Sequence, residues 1–260
     1  MKKPLIIANW KMNPLTRKEA VLLAQEIEEG SRMVKDCEVV IAPPFPFLES
    51  IGAALKKSKL GAQNVFWEAR GAYTGEISWD QVTRLKVRYV IVGHSERRIR
   101  LGETDEMVNK KVRACAEHGL MTVLCIGERE RTGAEIPSIV GDQLRRALAG
   151  VKTNALKNLV VAYEPVWAIS TNPGARADTP DNAFRARMYI KRILTELYGR
   201  HIAEEVRIIY GGSVNSTNIS AFLEEGKMDG ALVGGASLDR KEFLNILKAA
   251  SDRRGIPKLK

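Results

Sequence analysis

Three side chains that can move protons or stabilise negative charge each follow a short apolar run of the sequence. Lys11 and His94 come shortly after such a run, and Glu164 comes directly after one. A glutamate in an apolar setting suits a general base, and a neutral imidazole can donate a hydrogen bond to a carbonyl oxygen. The lysine ammonium suits an anionic substrate or an oxyanion. These residue types therefore indicate acid–base chemistry on an anionic compound.

Each of the three also has a structural interpretation. Lys11 could be an ordinary surface lysine, and His94 could be a histidine that serves packing alone. Glu164 could belong to a structural ion pair with Lys11 or Arg97. Their shared position after a strand favours the functional interpretation, because the carboxyl ends of barrel strands meet at one face.

Two glycine pairs indicate where an anion could bind. Gly211 and Gly212 precede Ser213, and Gly234 and Gly235 follow the last apolar run. Glycine lets the backbone approach a phosphate closely, and a helix N-terminus supplies free N–H groups. In an α/β barrel, the loops after strands seven and eight form the recurrent phosphate site. The alternative is two tight turns without a ligand.

The elements that must position these residues are short strands and amphipathic helices. Apolar runs without polar alternation predict eight strands buried on both faces, at Leu5–Ala8, Glu38–Ala42, Leu60–Gln63, Tyr89–Val92, Met121–Cys125, Leu159–Tyr163, Val206–Tyr210 and Ala231–Val233. Helices are predicted from the capping box at Thr16 to about Gly30, from near Thr104 to Gly119, and from Thr179 to Gly199. The apolar stripe of the last helix comprises Ala183, Ala186, Ile190, Ile193, Leu194 and Leu197.

Strands that alternate with helices predict parallel βαβ units with right-handed crossovers. Two α/β folds compete, an open doubly wound sheet and a closed (β/α)8 barrel. Eight strands in 260 residues favour the barrel. An open nucleotide-binding sheet usually carries a glycine-rich loop after its first strand, and 9–13 contains no glycine. No linker rich in Pro, Gly or Ser divides the chain, so we predict a single barrel domain over 1–260.

The composition argues against several other classes of protein. Hydrophobic residues make up 45% of the chain, which is enough for a sizeable core. No apolar run is long enough for a membrane span or a signal peptide. Three cysteines, odd in number and far apart, argue against a disulfide framework or a zinc site and predict a cytoplasmic protein. The net charge of +10 arises from basic residues interleaved with acidic ones, so nucleic-acid binding is not expected.

Eight segments, in order and from end to end of the chain, carry a resemblance to a known family. Two are highly specific, Gly-His-Ser-Glu-Arg-Arg within 92–98 and Tyr-Glu-Pro-Val-Trp-Ala within 162–169. The other six are Asn9–Asn13, Gln63–Val65, Gly71–Ser78, Gly102–Glu106, Tyr210–Val214 and Leu232–Leu238. With these motifs the chain resembles the triosephosphate isomerase family.

The resemblance implies interconversion of D-glyceraldehyde 3-phosphate and dihydroxyacetone phosphate through an enediolate, with no metal and no cofactor. Glu164 would remove the proton, neutral His94 would polarise the carbonyl and shuttle protons, and Lys11 with Asn9 would stabilise the negative oxygen. The other implied site residues are Glu96 near Lys11, Ser170, Ser213, Gly234 and Gly235 at the phosphate, and Ile169 and Leu232 as apolar cover over Glu164.

The resemblance also implies a lid and a partner subunit. Residues 165–179 would close over the site to exclude water. The family is usually a homodimer in which the loop around Thr74 reaches into the neighbour's site beside Lys11, and no membrane partner is implied.

The lid sequence departs from the family pattern. The family usually reads Ile-Gly-Thr-Gly-Lys-Thr-Ala before a Thr-Pro helix start, whereas 169–178 is longer by about three residues, a change that loops tolerate. Ser170 replaces the glycine whose N–H meets the phosphate. The first hinge, Pro165–Trp167, is intact, and the second hinge is not recognisable.

Two other functions stay open on the sequence. One is a binding protein on the same scaffold, impaired in catalysis by the altered lid, with the positive charge serving a polyanion; steep salt dependence of DNA binding would identify it. The other is a different phosphosugar enzyme of the barrel class, since fold alone does not fix chemistry. Assays with other phosphorylated sugars would identify that one.

Overall fold

Eight parallel strands close into one barrel in chain order, as the computed structural model shows for residues 2–34, 36–169 and 174–252. The last strand pairs with the first from Leu5↔Gly230 to Ala8↔Val233. The predicted (β/α)8 architecture is therefore confirmed. The strands are β1 Leu5–Asn9, β2 Glu38–Ala42, β3 Lys59–Ala62, β4 Tyr89–Val92, β5 Met121–Ile126, β6 Leu159–Tyr163, β7 Arg207–Tyr210 and β8 Gly230–Val233.

Helices surround the barrel and begin where the capping residues predict. Thr16, Thr104 and Thr179 each accept a hydrogen bond from a backbone N–H of the first turn that follows. The first helix continues past Gly30, the predicted end, to Met33. The helices are α1 Arg17–Met33, α2 Leu48–Ala54, α3 Trp79–Arg84, α4 Ser95–Arg100, α5 Asp105–Glu117, α6 Ser138–Ala147, α7 Pro180–Tyr198, α8 Arg200–Glu205, α9 Ile219–Glu224 and α10 Arg240–Ser251. None of these helices is long and apolar enough to cross a membrane.

Alternating strand residues build two separate apolar layers. Ile6 and Ala8 of β1 pack outward with the helices, whereas Leu5 and Ile7 belong to a smaller cluster inside the barrel. The inner cluster also contains Cys125, which is buried in β5 as a packing residue. With both faces buried, the strands need no polar alternation, which is why they read as continuous apolar runs. The filled interior leaves the strand ends as the place for chemistry.

One residue of the predicted α7 stripe is placed wrongly. Leu197 is 40% exposed, while the other five stripe residues are buried. In the last turn Tyr198 takes the inward position, and its hydroxyl donates to the carbonyl oxygens of Leu148 and Val151. Periodicity alone cannot choose between adjacent positions at a helix end, where the neighbouring surface decides.

A polar network closes the amino-terminal end of the barrel. The Tyr89 hydroxyl donates to Glu38, and Arg207 Nη1 donates to the other Glu38 oxygen at 2.7 Å. Burial disfavours the charged form of Glu38, but the hydrogen bonds from Tyr89 and Arg207 outweigh it, so the pKa of Glu38 lies below its usual value. Burial, together with the hydrogen bond to Glu38, raises the pKa of Tyr89 to about 12. Glu38 is therefore held in its ionised form.

Glu38→Gln should make the protein less stable at neutral pH and should flatten its acid dependence. Because the folded-state pKa of Glu38 is depressed, its stabilisation is complete above the unfolded value of about 4.5 and is lost as the pH falls through the folded value. We expect a loss of about 1–3 kcal/mol at pH 7, the usual cost of weakening a hydrogen bond to a charged group. Urea unfolding at pH 7 and at pH 3 measures both quantities. Glu49→Gln, at an exposed position of α2, is the matched control. An equal loss of unfolding free energy at pH 7 and at pH 3 would contradict the role of the Glu38 charge.

Candidate active site

The turn after β1 holds Lys11 in a left-handed backbone conformation with φ of 54°. This conformation is strained for a residue with a Cβ and is concentrated at functional sites. The Lys11 N–H donates to Asn9 Oδ1 at 3.1 Å, and Gln63 Nε2 donates to the Lys11 carbonyl oxygen at 2.8 Å. Asn9 and Gln63 thereby fix the direction in which the lysine leaves the barrel.

The Lys11 ammonium joins two loops at the carboxyl end of the barrel. Nζ lies 2.7 Å from Glu96 Oε1. Burial disfavours the charged form of Glu96, but the hydrogen bond from Lys11 and the nearby positive charges of Lys11 and Arg100 together outweigh it, and the pKa of Glu96 lies below its usual value. A Cβ placed on Gly234 would lie 3.3 Å from Lys11 Cε, so the lysine stem passes against the loop after β8. Among the described residues Lys11 pairs with Glu96 and Arg97 pairs with Glu103, so neither is the ion-pair partner of Glu164.

His94 follows β4 and is the N-cap residue of α4, at 8% exposure. Its Nδ1 accepts a hydrogen bond from the Glu96 N–H at 3.2 Å. A ring nitrogen that accepts carries no proton, so this contact is the one that an imidazole with its proton on Nε2 makes. The positive end of the α4 dipole favours the same state. Nε2 lies 3.2 Å from Glu164 Oε1, which places the imidazole N–H in the centre of the site.

Glu164 is 1% exposed and follows β6 directly. Its N–H donates to the Ile126 carbonyl oxygen at 2.8 Å, and its Oε2 accepts from the Ser95 N–H at 2.8 Å. Its other oxygen, Oε1, has no hydrogen-bond partner among the described residues. A buried carboxylate with one oxygen anchored and the other unsatisfied is available to accept a proton.

Two glycines leave room for Glu164. A Cβ on Gly127 would overlap the Glu164 carbonyl oxygen and lie 2.5 Å from its carbonyl carbon. A Cβ on Gly211 would lie 2.7 Å from Glu164 Cγ. Gly127 is in turn held by Gln143, which accepts from its N–H at 2.8 Å. The loops after β5 and β7 therefore fix the position of Glu164 from both sides.

The loops after β7 and β8 hold the residues predicted to bind phosphate. Ser213 donates to the Ala168 carbonyl oxygen from its N–H at 3.2 Å and from its hydroxyl at 2.8 Å. Gly234 precedes a short 3₁₀ turn, and nothing lies within 4 Å of a Cβ placed on Gly235. Leu232 is buried inside the barrel, and Ile169 is half-buried at the end of the turn after β6. Ser170 lies outside the described residues.

Glu128 binds the first hinge of the predicted lid through hydrogen bonds. One oxygen of this buried carboxylate accepts from Trp167 Nε1 at 2.9 Å, from the Tyr163 hydroxyl at 2.9 Å and from Arg131 Nη2 at 2.7 Å. The guanidinium carbons of Arg131 and Arg176 lie 5.9 Å and 5.6 Å from the centre of the Trp167 ring. The turn Val166–Ala168 therefore has a fixed base beside Glu164.

Some contributors to the site carry no chemical signal in the sequence. The Ser95 N–H, which anchors Glu164, is a backbone group that any residue could supply. Gln63 and Glu128 act on the site through other residues, and Gly127 acts by lacking a side chain. Position is one signal, since all four lie close to the end of a strand, and Gln63 and Ser95 also lie in segments that carry the family resemblance.

Comparison with known proteins gives one consistent match. The family model described as triosephosphate isomerase matches residues 4–250. A triosephosphate isomerase of Caldanaerobacter subterraneus is 47% identical over 253 residues, which cover 95% of this chain and 99% of the relative. Those of Dictyoglomus thermophilum and Carboxydothermus hydrogenoformans are 43% and 44% identical, each over 96% of this chain and all of the relative. The chain belongs to the triosephosphate isomerase family.

Proposed function

We propose that Glu164 is the base in the interconversion of D-glyceraldehyde 3-phosphate and dihydroxyacetone phosphate, the isomerase reaction that this chain catalyses. The observation that carries the assignment is Glu164 Oε1, which has no hydrogen-bond partner among the described residues and lies 3.2 Å from His94 Nε2. The carboxylate takes a proton from the carbon next to the carbonyl. The electron pair of that C–H bond forms a C=C bond, and the π pair of the carbonyl moves onto its oxygen to give an enediolate. Return of the proton to the neighbouring carbon completes the isomerisation.

His94 and Lys11 stabilise the charge that develops on oxygen. The imidazole N–H donates to the carbonyl oxygen and moves protons between the two oxygens of the enediolate. The Lys11 ammonium supplies positive charge in a site whose groups are already oriented by Asn9, Gln63 and Glu96. A preorganised charge of this kind does not have to reorient as the reaction proceeds.

The phosphate would bind between the loops after β7 and β8. Ser213, Gly234 and Gly235 would supply N–H groups and a hydroxyl, with Ser170 as a further N–H donor from the lid. Both Ser213 donors bind the Ala168 carbonyl oxygen, so a phosphate that binds Ser213 competes with the first end of segment 165–179. Closure of that segment, with Ile169 and Leu232 covering Glu164, would exclude water from the enediolate.

A homodimer is the proposed assembly, with the loop around Thr74 reaching the partner's Lys11 region. Residues 68–76 are all exposed in a single chain. Met12 and Leu15, close in sequence to Lys11, are 86% and 87% exposed, which is unusual for large apolar side chains. Cys37, Cys115 and Cys125 are buried and form no disulfide, which supports the proposal of a reducing, cytoplasmic setting.

Thr74→Glu should convert the protein to a monomer and reduce its activity, because the loop would carry a charge into an apolar contact. Sedimentation equilibrium should give twice the 28.9 kDa chain mass for the parent and one chain mass for the variant. Thr153→Glu makes the same change at an exposed position far along the chain and should stay dimeric. A parent that sediments as one chain would contradict the dimer.

The steady-state rate of glyceraldehyde 3-phosphate isomerisation tests the assigned roles, measured for the parent and for Glu164 variants in parallel. A fast parent and slow variants are expected. A folded parent with no rate above buffer would contradict the proposal and would favour a binding role for the scaffold.

A further inference from the structure

Segment 165–179 is tied at both ends to the chain around the end of β7. At its first end, Ser213 holds the Ala168 carbonyl oxygen through two hydrogen bonds, as described above. At its second end, the Tyr210 hydroxyl donates to Asp178 Oδ2 at 3.0 Å. Tyr210 is the last residue of β7 and Ser213 lies three residues beyond it. The same short stretch of chain therefore contacts both ends of the segment.

Asp178 is the centre of the second attachment. Its Oδ1 accepts from the Thr179 N–H at 2.8 Å and from Asn182 Nδ2 at 2.5 Å. Asn182 Oδ1 accepts from Arg131 Nη1 at 2.6 Å, which links this end to the fixed base of the first hinge. Asp178 is half-buried, and with these bonds both of its oxygens are in use. The side chain thus joins β7, the start of α7 and the first hinge.

Tyr210 connects Asp178 to the loop after β7, which contains Gly212 and Ser213. Its ring stacks on Phe222, with ring centres 4.0 Å apart and planes 14° apart, so the ring itself has little freedom. A Cβ placed on Gly212 would overlap the Tyr210 hydroxyl and lie 2.6 Å from Cζ. The phenol end therefore lies directly against Gly212. A hydroxyl that moved towards Gly212 would therefore push that residue and, with it, Ser213.

We propose that Asp178 is a positioning residue of the isomerase reaction, which holds the Tyr210 hydroxyl against Gly212 and so keeps Ser213 in place to bind the substrate phosphate. This inference rests on the proposed function, specifically on Ser213 as a phosphate ligand. The second hinge has no recognisable sequence motif. The inference places this hinge at Asp178, just before α7.

The test compares Asp178→Ala with Tyr210→Phe in KM, kcat and affinity for inorganic phosphate. We expect each variant to raise KM and the phosphate dissociation constant by about tenfold, since each removes the same charge-assisted hydrogen bond. The double variant should be no worse than either single one, because both act through one contact. Tyr210→Phe removes a single oxygen and keeps the stacked ring, so it remains informative even where Asp178→Ala fails to fold.

Asp178→Asn should restore most of the phosphate affinity that Asp178→Ala loses. The amide oxygen can accept from Thr179 and Asn182 while the amide nitrogen donates to the Tyr210 oxygen. Asp181→Ala is the matched control, since Asp181 lies on the same turn, loses the same charge and contacts only exposed Arg185 through its side chain among the described residues. It should leave KM unchanged.

Two outcomes separate this inference from the function on which it rests. Gly235→Asp supplies the reference, because nothing lies within 4 Å of a Cβ on Gly235 and a carboxylate there would repel a phosphate bound by these loops. If Gly235→Asp weakens phosphate binding while Asp178→Ala and Tyr210→Phe change thermal stability alone, Asp178 is a structural residue and the inference is overturned. If Gly235→Asp leaves phosphate binding unchanged, the phosphate site itself is wrong, and the inference falls with it.

Discussion

Glu164→Asp should lower kcat by about 100-fold or more while the protein remains folded. The shorter side chain keeps the carboxylate but withdraws it by about one bond, and a displacement of about 1 Å in a reacting group can cost about 100-fold in rate. The glycines on either side leave the backbone no route by which to follow, because Gly127 and Gly211 pack against Glu164 at contact distance. Steady-state kinetics in both directions measures the effect.

Glu164→Gln removes the base but keeps the shape of the side chain. Its kcat should therefore fall further, by about 10³–10⁴-fold, the upper part of the usual range for a general base. Glu49→Asp, at an exposed position, controls for the substitution itself. Retention of most of the parent rate in either Glu164 variant, with an unchanged melting temperature, would exclude Glu164 as the base.

Lys11→Ala should reduce kcat/KM by about 10²–10³-fold, the usual cost of removing one electrostatic contact to a developing oxyanion. The backbone of Lys11 is strained at φ 54°. The alanine substitution alone therefore does not distinguish loss of the ammonium charge from a change in the conformation of the turn. Lys11→Gly separates them, since glycine adopts this conformation readily but also lacks the ammonium.

Equal losses in Lys11→Ala and Lys11→Gly would assign the effect to the charge. Recovery of activity in Lys11→Gly would instead assign it to the backbone and contradict the electrostatic role. Lys241→Ala, at an exposed position of α10, should leave kcat/KM unchanged.

The barrel could be predicted because its strands are buried on both faces. Runs such as Tyr89–Val92 and Leu159–Tyr163 are apolar throughout and give the strand bounds to the residue. In β3 the observed strand begins one residue earlier than predicted, because the polar residue Lys59 is part of the strand. Leu197 shows the limit of helical periodicity, since the neighbouring surface selected Tyr198 instead.

The site was predictable where the chemistry resides in a side chain next to a strand end. Glu164, His94 and Lys11 meet that condition, and the structure brings them together. The Ser95 amide and the cavity left by Gly127 do not, because they depend on contacts between segments distant in sequence. Asp178 is a similar case, since its partner Tyr210 is 32 residues away and the intervening helix gives no sign of the contact.

The pairing of β1 with β8 has a consequence for how the protein is made. The Lys11 stem packs against Gly234, a residue that is synthesised long after Lys11. Until β8 has left the ribosome, β1 and β7 are open sheet edges, and such edges can pair with other chains and aggregate. A nascent chain that stops short of Gly230 thus lacks both a closed sheet and the loop after β8 that we propose as half of the phosphate site. Activity and protection from aggregation are completed in the same step, when the last strand is inserted.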